Sequence, residues 1–193
     1  MKNIRFGLCC IFKEAPIRFR TTTARVLSSL SRKEQLEKVS NICLSNVESI
    51  LLALEFIDCL SIGAFRIISP LFPRMTHPDV GYSLNELPDK KQIRQLLRQV
   101  SEFREEHQIR LSFHPDQFIV LSSPKAEVVK NARRELNYQA MVAKMVGADV
   151  INVHVGGTYG DKPAALERFS KRYRSLSKEV RKRLTVENDD RSY

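Results

Sequence analysis

The sequence predicts an α/β fold in which strands alternate with helices and run parallel. Three observations predict it. A strand-like apolar run followed by a helical apolar period recurs four times, and a fifth strand-like run follows the last helix. The 193 residues, 42% of them hydrophobic, suffice for one sizeable core and hardly for two, so 1–193 reads as a single domain. No G-x-G-x-x-G follows the first strand, so the dinucleotide-binding form of an open sheet is unsupported. Two architectures remain, an open doubly wound sheet and part of a (β/α)8 barrel. A complete barrel needs ~250 residues, so a barrel here lacks its last three units.

The elements follow in order. Residues 4–11 form the first strand; Lys13 and Glu14 end the apolar run too soon for a signal peptide or a membrane span. Ser31, with Glu34 three residues on, opens a long helix by the capping-box pattern. Its inner face is Leu36, Val39, Cys43, Val47, Ile50, Leu54 and Ile57, and Gly63 ends it. Residues 64–68 form the second strand. Four prolines make 69–88 a long loop. Ile93, Leu96, Leu97, Val100 and Phe103 mark the next helix, and 109–113 the third strand. Ser123 and Pro124 read as N-cap and first residue of a helix that stops at Gly147. Residues 149–155 form the fourth strand, Ala165 to Val180 one further helix, and 184–187 the fifth strand. Four cysteines without a C-x-x-C pair read as reduced thiols of a cytoplasmic protein.

Chemistry gathers at the strand ends. His114 follows the third strand, His154 closes the fourth, Glu187 closes the fifth, and His77 sits in the loop after the second. Parallel α/β proteins build their sites at the carboxyl ends of strands. Imidazoles and a carboxylate delivered there by consecutive units suit a divalent metal such as Mn²⁺, Zn²⁺ or Fe²⁺. His107 extends a helix stripe four residues after Phe103 and reads as structural; Asp189 and Asp190 read as a solvated loop rather than further ligands. Pro115 forces a turn after His114, which presents Gln117 and Phe118 at the rim or lets Phe118 pack inward with Ile119. An amide beside a planar ring suits insertion into a base stack.

Lys+Arg 32 against Asp+Glu 22 gives a net charge of +10, which favours a polyanionic partner such as nucleic acid. The basic run from Arg168 to Arg183 reads as the solvated outer face of a helix. Phosphate contacts are expected instead in strand-end loops, for instance from Arg74, Lys125 or Lys162.

Four segments together resemble the UV damage endonuclease family. They are Phe65-Arg-Ile-Ile-Ser-Pro-Leu-Phe-Pro73 with Thr76-His-Pro78, Leu111-Ser-Phe-His-Pro-Asp-Gln-Phe118, Asn152-Val-His-Val-Gly-Gly-Thr-Tyr-Gly-Asp-Lys162 and Leu184-Thr-Val-Glu-Asn-Asp-Asp190. The resemblance implies a partial (β/α)8 TIM barrel of about five βα units with parallel strands and outer helices. It implies a metal-dependent hydrolase that nicks DNA 5′ to ultraviolet photoproducts during repair, acting on damaged double-stranded DNA without an obligate protein partner or a membrane. His77, His114, His154 and Glu187 would be metal ligands, with His114, His154 and Glu187 catalytic, and the metal manganese, with zinc or magnesium as alternatives. Gln117 and Phe118 would probe the base stack; the second position is commonly Tyr in the family, and Phe118 keeps the ring without its hydroxyl. The family continues past its fifth strand with further ligands, so little nicking and poor solubility are expected of this chain alone. An abasic-site nuclease like endonuclease IV, a metal-dependent sugar isomerase and a non-catalytic DNA-binding module are the alternative readings.

Overall fold

The computed structural model describes residues 4–187. Five strands, β1 (Gly7–Cys9), β2 (Ala64–Ile67), β3 (Arg110–Phe113), β4 (Val150–His154) and β5 (Leu184–Glu187), follow one another in chain order in the sheet. The pairs β1–β2, β3–β4 and β4–β5 are parallel. A doubly wound sheet reverses its strand order at a switch point, whereas consecutive barrel units do not. The sequential order therefore selects the βα units of a (β/α)8 barrel over the open alternative. The described residues fall into two compact units, one running to Leu111 with Met145–Gly147, the other comprising Ser112–Lys144 and the chain from Ala148.

In the first unit, helices α1 (Ala24–Ser28), α2 (Arg32–Cys59) and α3 (Lys90–Glu106) accompany β1 and β2. The capping box at Ser31 is present, with the Ser31 N–H donating to Glu34 Oε2 at 2.8 Å and the Glu34 N–H donating to Ser31 Oγ at 3.4 Å. These bonds from the Ser31 hydroxyl and backbone hold the exposed Glu34 carboxyl below its ordinary pKa. Val39, Cys43, Val47, Ile50, Leu54 and Ile57 are buried as their spacing predicts, and Leu36 is half-buried. Burial pushes the Cys43 thiol up to about 12, against a weaker opposing contact with the Tyr82 hydroxyl. Buried Asn46 ties two loops to α2, accepting from the Arg20 N–H at 2.7 Å and donating to the Arg20 and Leu71 carbonyls at 2.9 Å. His107 is structural, as expected: its ring stacks on Phe103 at 4.0 Å and its Nδ1 lies 2.8 Å from Asp58 Oδ2 at the end of α2.

Several boundaries differ from expectation. The first strand is three residues long rather than eight, leaving Ile4, Phe6 and Ile11 exposed. α1 was invisible to apolar periodicity because five residues with one buried side chain carry no period; Thr23 caps it. Ser61, at φ 56°, takes the left-handed turn after α2, so Gly63 is not the stop. Gly63 instead makes room for Arg5, whose side chain would meet an added Cβ at 3.3 Å. The proline-rich loop holds a 3-10 turn at Leu84–Glu86.

In the second unit, α4 (Ala126–Val146), α5 (Lys162–Arg174) and α6 (Lys178–Arg181) accompany β4 and β5. α4 starts later than the Ser123-Pro124 signal, because Ser123 Oγ accepts from the Lys125 N–H at 3.2 Å and caps a turn ahead of the helix. The expected single helix from Ala165 to Val180 is broken at Ser175. Ser175 returns its hydroxyl to the Arg172 carbonyl at 2.7 Å, and Ser177 caps a new helix at Val180. Gly147, at φ 71°, ends α4 as its position predicts. No described helix is long and apolar enough to cross a membrane.

Candidate metal centre

Strand alternation builds the site in the second unit. Phe113, Ile151 and Val153 are buried on one side of the sheet, and residues of opposite parity face the other side. The parallel register pairs Asn152 with Thr185 and His154 with Glu187, so all four share the second face. His114 follows Phe113 and, in register with Asn152, takes the parity of Asn152 and His154. Backbone pairing alone therefore places two imidazoles, one amide and one carboxylate together.

The side chains complete what the register begins. His114 Nε2 and Glu187 Oε2 share a hydrogen bond. His154 Nε2 lies 3.9 Å from the same oxygen. The two rings meet edge to face, 5.1 Å between centroids. One ligand atom from each of His114, His154 and Glu187 falls within 4.8 Å of the others. Metal–ligand bonds to imidazole nitrogen and carboxylate oxygen run about 2.0–2.2 Å, so atoms around a shared cation stand about 3–4 Å apart; His154 Nε2 and Glu187 Oε2 have that spacing, while His114 Nε2 is closer to the carboxylate, in a hydrogen bond. The trio's donor chemistry, two imidazoles and a carboxylate, is that of Mn²⁺, Zn²⁺ or Fe²⁺ sites.

The carboxylate is braced from behind. Asn152 Nδ2 donates to Glu187 Oε2 at 3.2 Å, and Thr185 Oγ1 donates to Asn152 Oδ1 at 3.0 Å. This Thr–Asn–Glu chain fixes which way the carboxylate points, as outer hydrogen bonds do for metal ligands generally. Sequence reasoning missed both bracing residues, although their position two residues before each ligand was the available signal. Asn152→Ala is expected to weaken divalent-metal affinity by about 10–100-fold with little change in melting temperature, read by calorimetric Mn²⁺ titration.

Glycine is demanded where the loop after β4 turns. Gly156 has φ 96°, and an added Cβ would lie 2.5 Å from Val120 Cγ1 and 2.7 Å from Ser122 Oγ. Gly156→Ala combines a disfavoured backbone with a collision, so a loss of about 2 kcal/mol or more is expected in denaturant unfolding.

Gln117 and Phe118 occupy a turn with both side chains exposed, Phe118 at 76%. The Asp116 carboxylate accepts the Phe118 N–H at 3.2 Å and the Asp116 carbonyl accepts the Ile119 N–H at 3.1 Å. Ile119 and Leu121 are buried, so they anchor the loop and Phe118 does not pack inward.

His77 lies in the first unit. Its Nδ1 accepts the backbone N–H groups of Asp79 at 3.2 Å and Val80 at 3.4 Å. Gly81 is required in that turn, where an added Cβ would come within 2.3 Å of the His77 carbonyl oxygen. Asp189 and Asp190 lie outside the described residues. Arg74 is used structurally, donating from Nε to the Thr22 carbonyl at 3.1 Å. The basic helix is not merely solvated: Arg168 Nε donates to the Ser122 carbonyl at 2.8 Å and Arg172 to the Leu121 carbonyl at 2.6 Å.

Comparison with known proteins places the chain in a family. The family described as UV-endonuclease UvdE matches residues 4–193. A UV DNA damage endonuclease of Bacillus mycoides is 32% identical over 177 residues, 90% of this chain and 54% of the relative. One from Bacillus thuringiensis is 33% identical over the same shares. The crystal structure of SacUVDE superposes with a TM-score of 0.85 at 32% identity, covering 99% of this chain and 63% of that one. The chain thus spans about half the length of the curated relatives it matches.

Proposed function

We propose, since this chain belongs to the UV-endonuclease family UvdE, that it contributes the metal centre and the lesion-probing turn of an endonuclease that nicks DNA 5′ to ultraviolet photoproducts. The observation that carries this reading is the convergence of His114, His154 and Glu187 from three successive strands on one face. His114, His154 and Glu187 would hold a divalent cation, with manganese the expected ion. When bound, such a cation polarises a phosphate oxygen and lowers the pKa of a bound water.

The chain's own residues prepare that chemistry. Glu187 supplies the negative charge, oriented by Asn152 before any substrate arrives. The imidazoles are half-buried, which limits the competition of water for their nitrogens. Gln117 and Phe118, exposed on their turn, would enter the base stack. A photoproduct is already poorly stacked, so its extrusion costs less than that of an intact base and selection follows from the difference. Phe118 offers a ring face to fill the gap, and Gln117 an amide for the exposed base edges.

The test is binding by the chain itself in the presence of Mn²⁺, measured by fluorescence anisotropy. A short duplex with one thymine photodimer is expected to bind about tenfold more tightly than its undamaged twin, the ratio that about 1.4 kcal/mol of unstacking gives. Equal affinity contradicts the proposal, and a stronger preference for an abasic duplex transfers the site to the abasic-site reading.

A further inference from the structure

We infer that Arg133, Arg168 and Arg172 form a phosphate-binding cluster that grips the DNA backbone beside the probing loop. The inference rests on the reading of DNA as the partner, and its test is independent of metal and of damage. All three arginines lie in the second unit, Arg133 on α4 and the others one turn apart on α5. Arg168 donates to the Ser122 carbonyl at 2.8 Å; Arg172 donates to the Leu121 carbonyl at 2.6 Å and also to that of Ser123. Residues 121–123 belong to the loop that carries Gln117 and Phe118, so Arg168 and Arg172 are bonded to that loop and are not merely solvated.

The electrostatics are those of an anion site. Among the described residues none of the three pairs with a carboxylate, although Glu179 draws Lys182 and Arg183 only a few residues away. Burial first, then repulsion from Arg168 and Arg133, holds the Arg172 guanidinium below its ordinary pKa. Like charges gathered without a counter-charge are costly unless an anion joins them. Donors remain to receive one. Arg133 bonds Ser175 Oγ through one terminal nitrogen. Each guanidinium carries five N–H donors, and the planar fork matches phosphate geometry.

Tyr159 extends the cluster. The Arg168 guanidinium carbon lies 5.9 Å from the centroid of the Tyr159 ring, which is 50% exposed. Its backbone stands at φ 54°, between Gly156 at φ 96° and Gly160 at φ 78°. An aromatic residue held in the left-handed region with half its surface in water gains little by packing, and such strain collects at ligand sites. The ring is positioned to lie against a sugar or base next to the bound phosphate.

The experiment measures affinity for an undamaged duplex in EDTA across a series of salt concentrations. Each phosphate contact contributes about 0.9 to the slope of log K against log salt. Arg133→Gln is expected to lower that slope by about one, and Arg168→Gln likewise, while circular dichroism stays unchanged. Should Arg168→Gln fail to fold for want of its loop bond, Arg133→Gln, which has no backbone bond to lose, decides alone. An unchanged slope in folded Arg133→Gln overturns the inference. So does the finding that millimolar inorganic phosphate stabilises the wild-type chain and is displaced by no duplex, which makes the cluster a site for free phosphate. Loss of photoproduct preference leaves the slope untouched, so failure of the nuclease reading is told apart from failure of this one.

Discussion

Glu187→Gln is expected to abolish measurable Mn²⁺ binding by this chain, a fall of ~100-fold or more. The estimate follows from the bracing residues: loss of an outer hydrogen bond costs 10–100-fold in affinity, and loss of the only carboxylate in the trio removes the charge itself. Gln keeps the size and one acceptor oxygen, so the Asn152 contact is retained while the negative charge is lost. Glu187 closes the last described strand with its side chain 43% exposed, and the substitution therefore leaves the fold intact. His114→Ala should act alike by removing a ligand nitrogen, whereas His107→Ala should leave binding unchanged, since that ring serves the α2–α3 junction. Calorimetric titration at neutral pH checks all three. Binding retained in both Glu187→Gln and His114→Ala removes the trio from the metal centre.

Phe118→Ala is expected to bring the affinities for photodimer and intact duplex close to equality. Stacking of a base on an aromatic ring is worth about 1–3 kcal/mol, which covers the whole of the tenfold preference proposed above. The ring is 76% exposed and makes no contribution to the core, so the effect cannot be ascribed to unfolding. An abasic duplex has no base to extrude at its lesion, and its affinity should fall much less. Gln117→Ala is expected to act in the same direction with a smaller loss. Equal losses on photodimer, abasic and intact duplexes would make the turn a general DNA contact and not a probe.

The parts of this molecule legible in its sequence are those governed by period and parity. The inner face of α2 could be read because six of its seven predicted positions are fully buried, and the capping box marks where it starts. The strand-end histidines and Glu187 could be read because a strand end is a fixed place in a βα unit. What escaped depends on contacts between distant segments. α1 is too short to show a period, and the serine break after α5 is made by side-chain hydrogen bonds that a helical stripe passes over. The bracing of Glu187 by Asn152 requires the β4–β5 register, which no single strand specifies. Arg168 and Arg172 were misread as solvated because charge patterning along one helix says nothing about carbonyls brought to it by another loop.

The central claim is that two imidazoles and one carboxylate from three neighbouring strands share a cation. Crystals of this chain soaked in Mn²⁺ and measured on both sides of the manganese absorption edge test it directly. The account predicts an anomalous peak within about 2.0–2.3 Å of a nitrogen of His114, a nitrogen of His154 and an oxygen of Glu187. A structure with saturating Mn²⁺ and no peak among these three side chains, or a peak held by other residues alone, contradicts it.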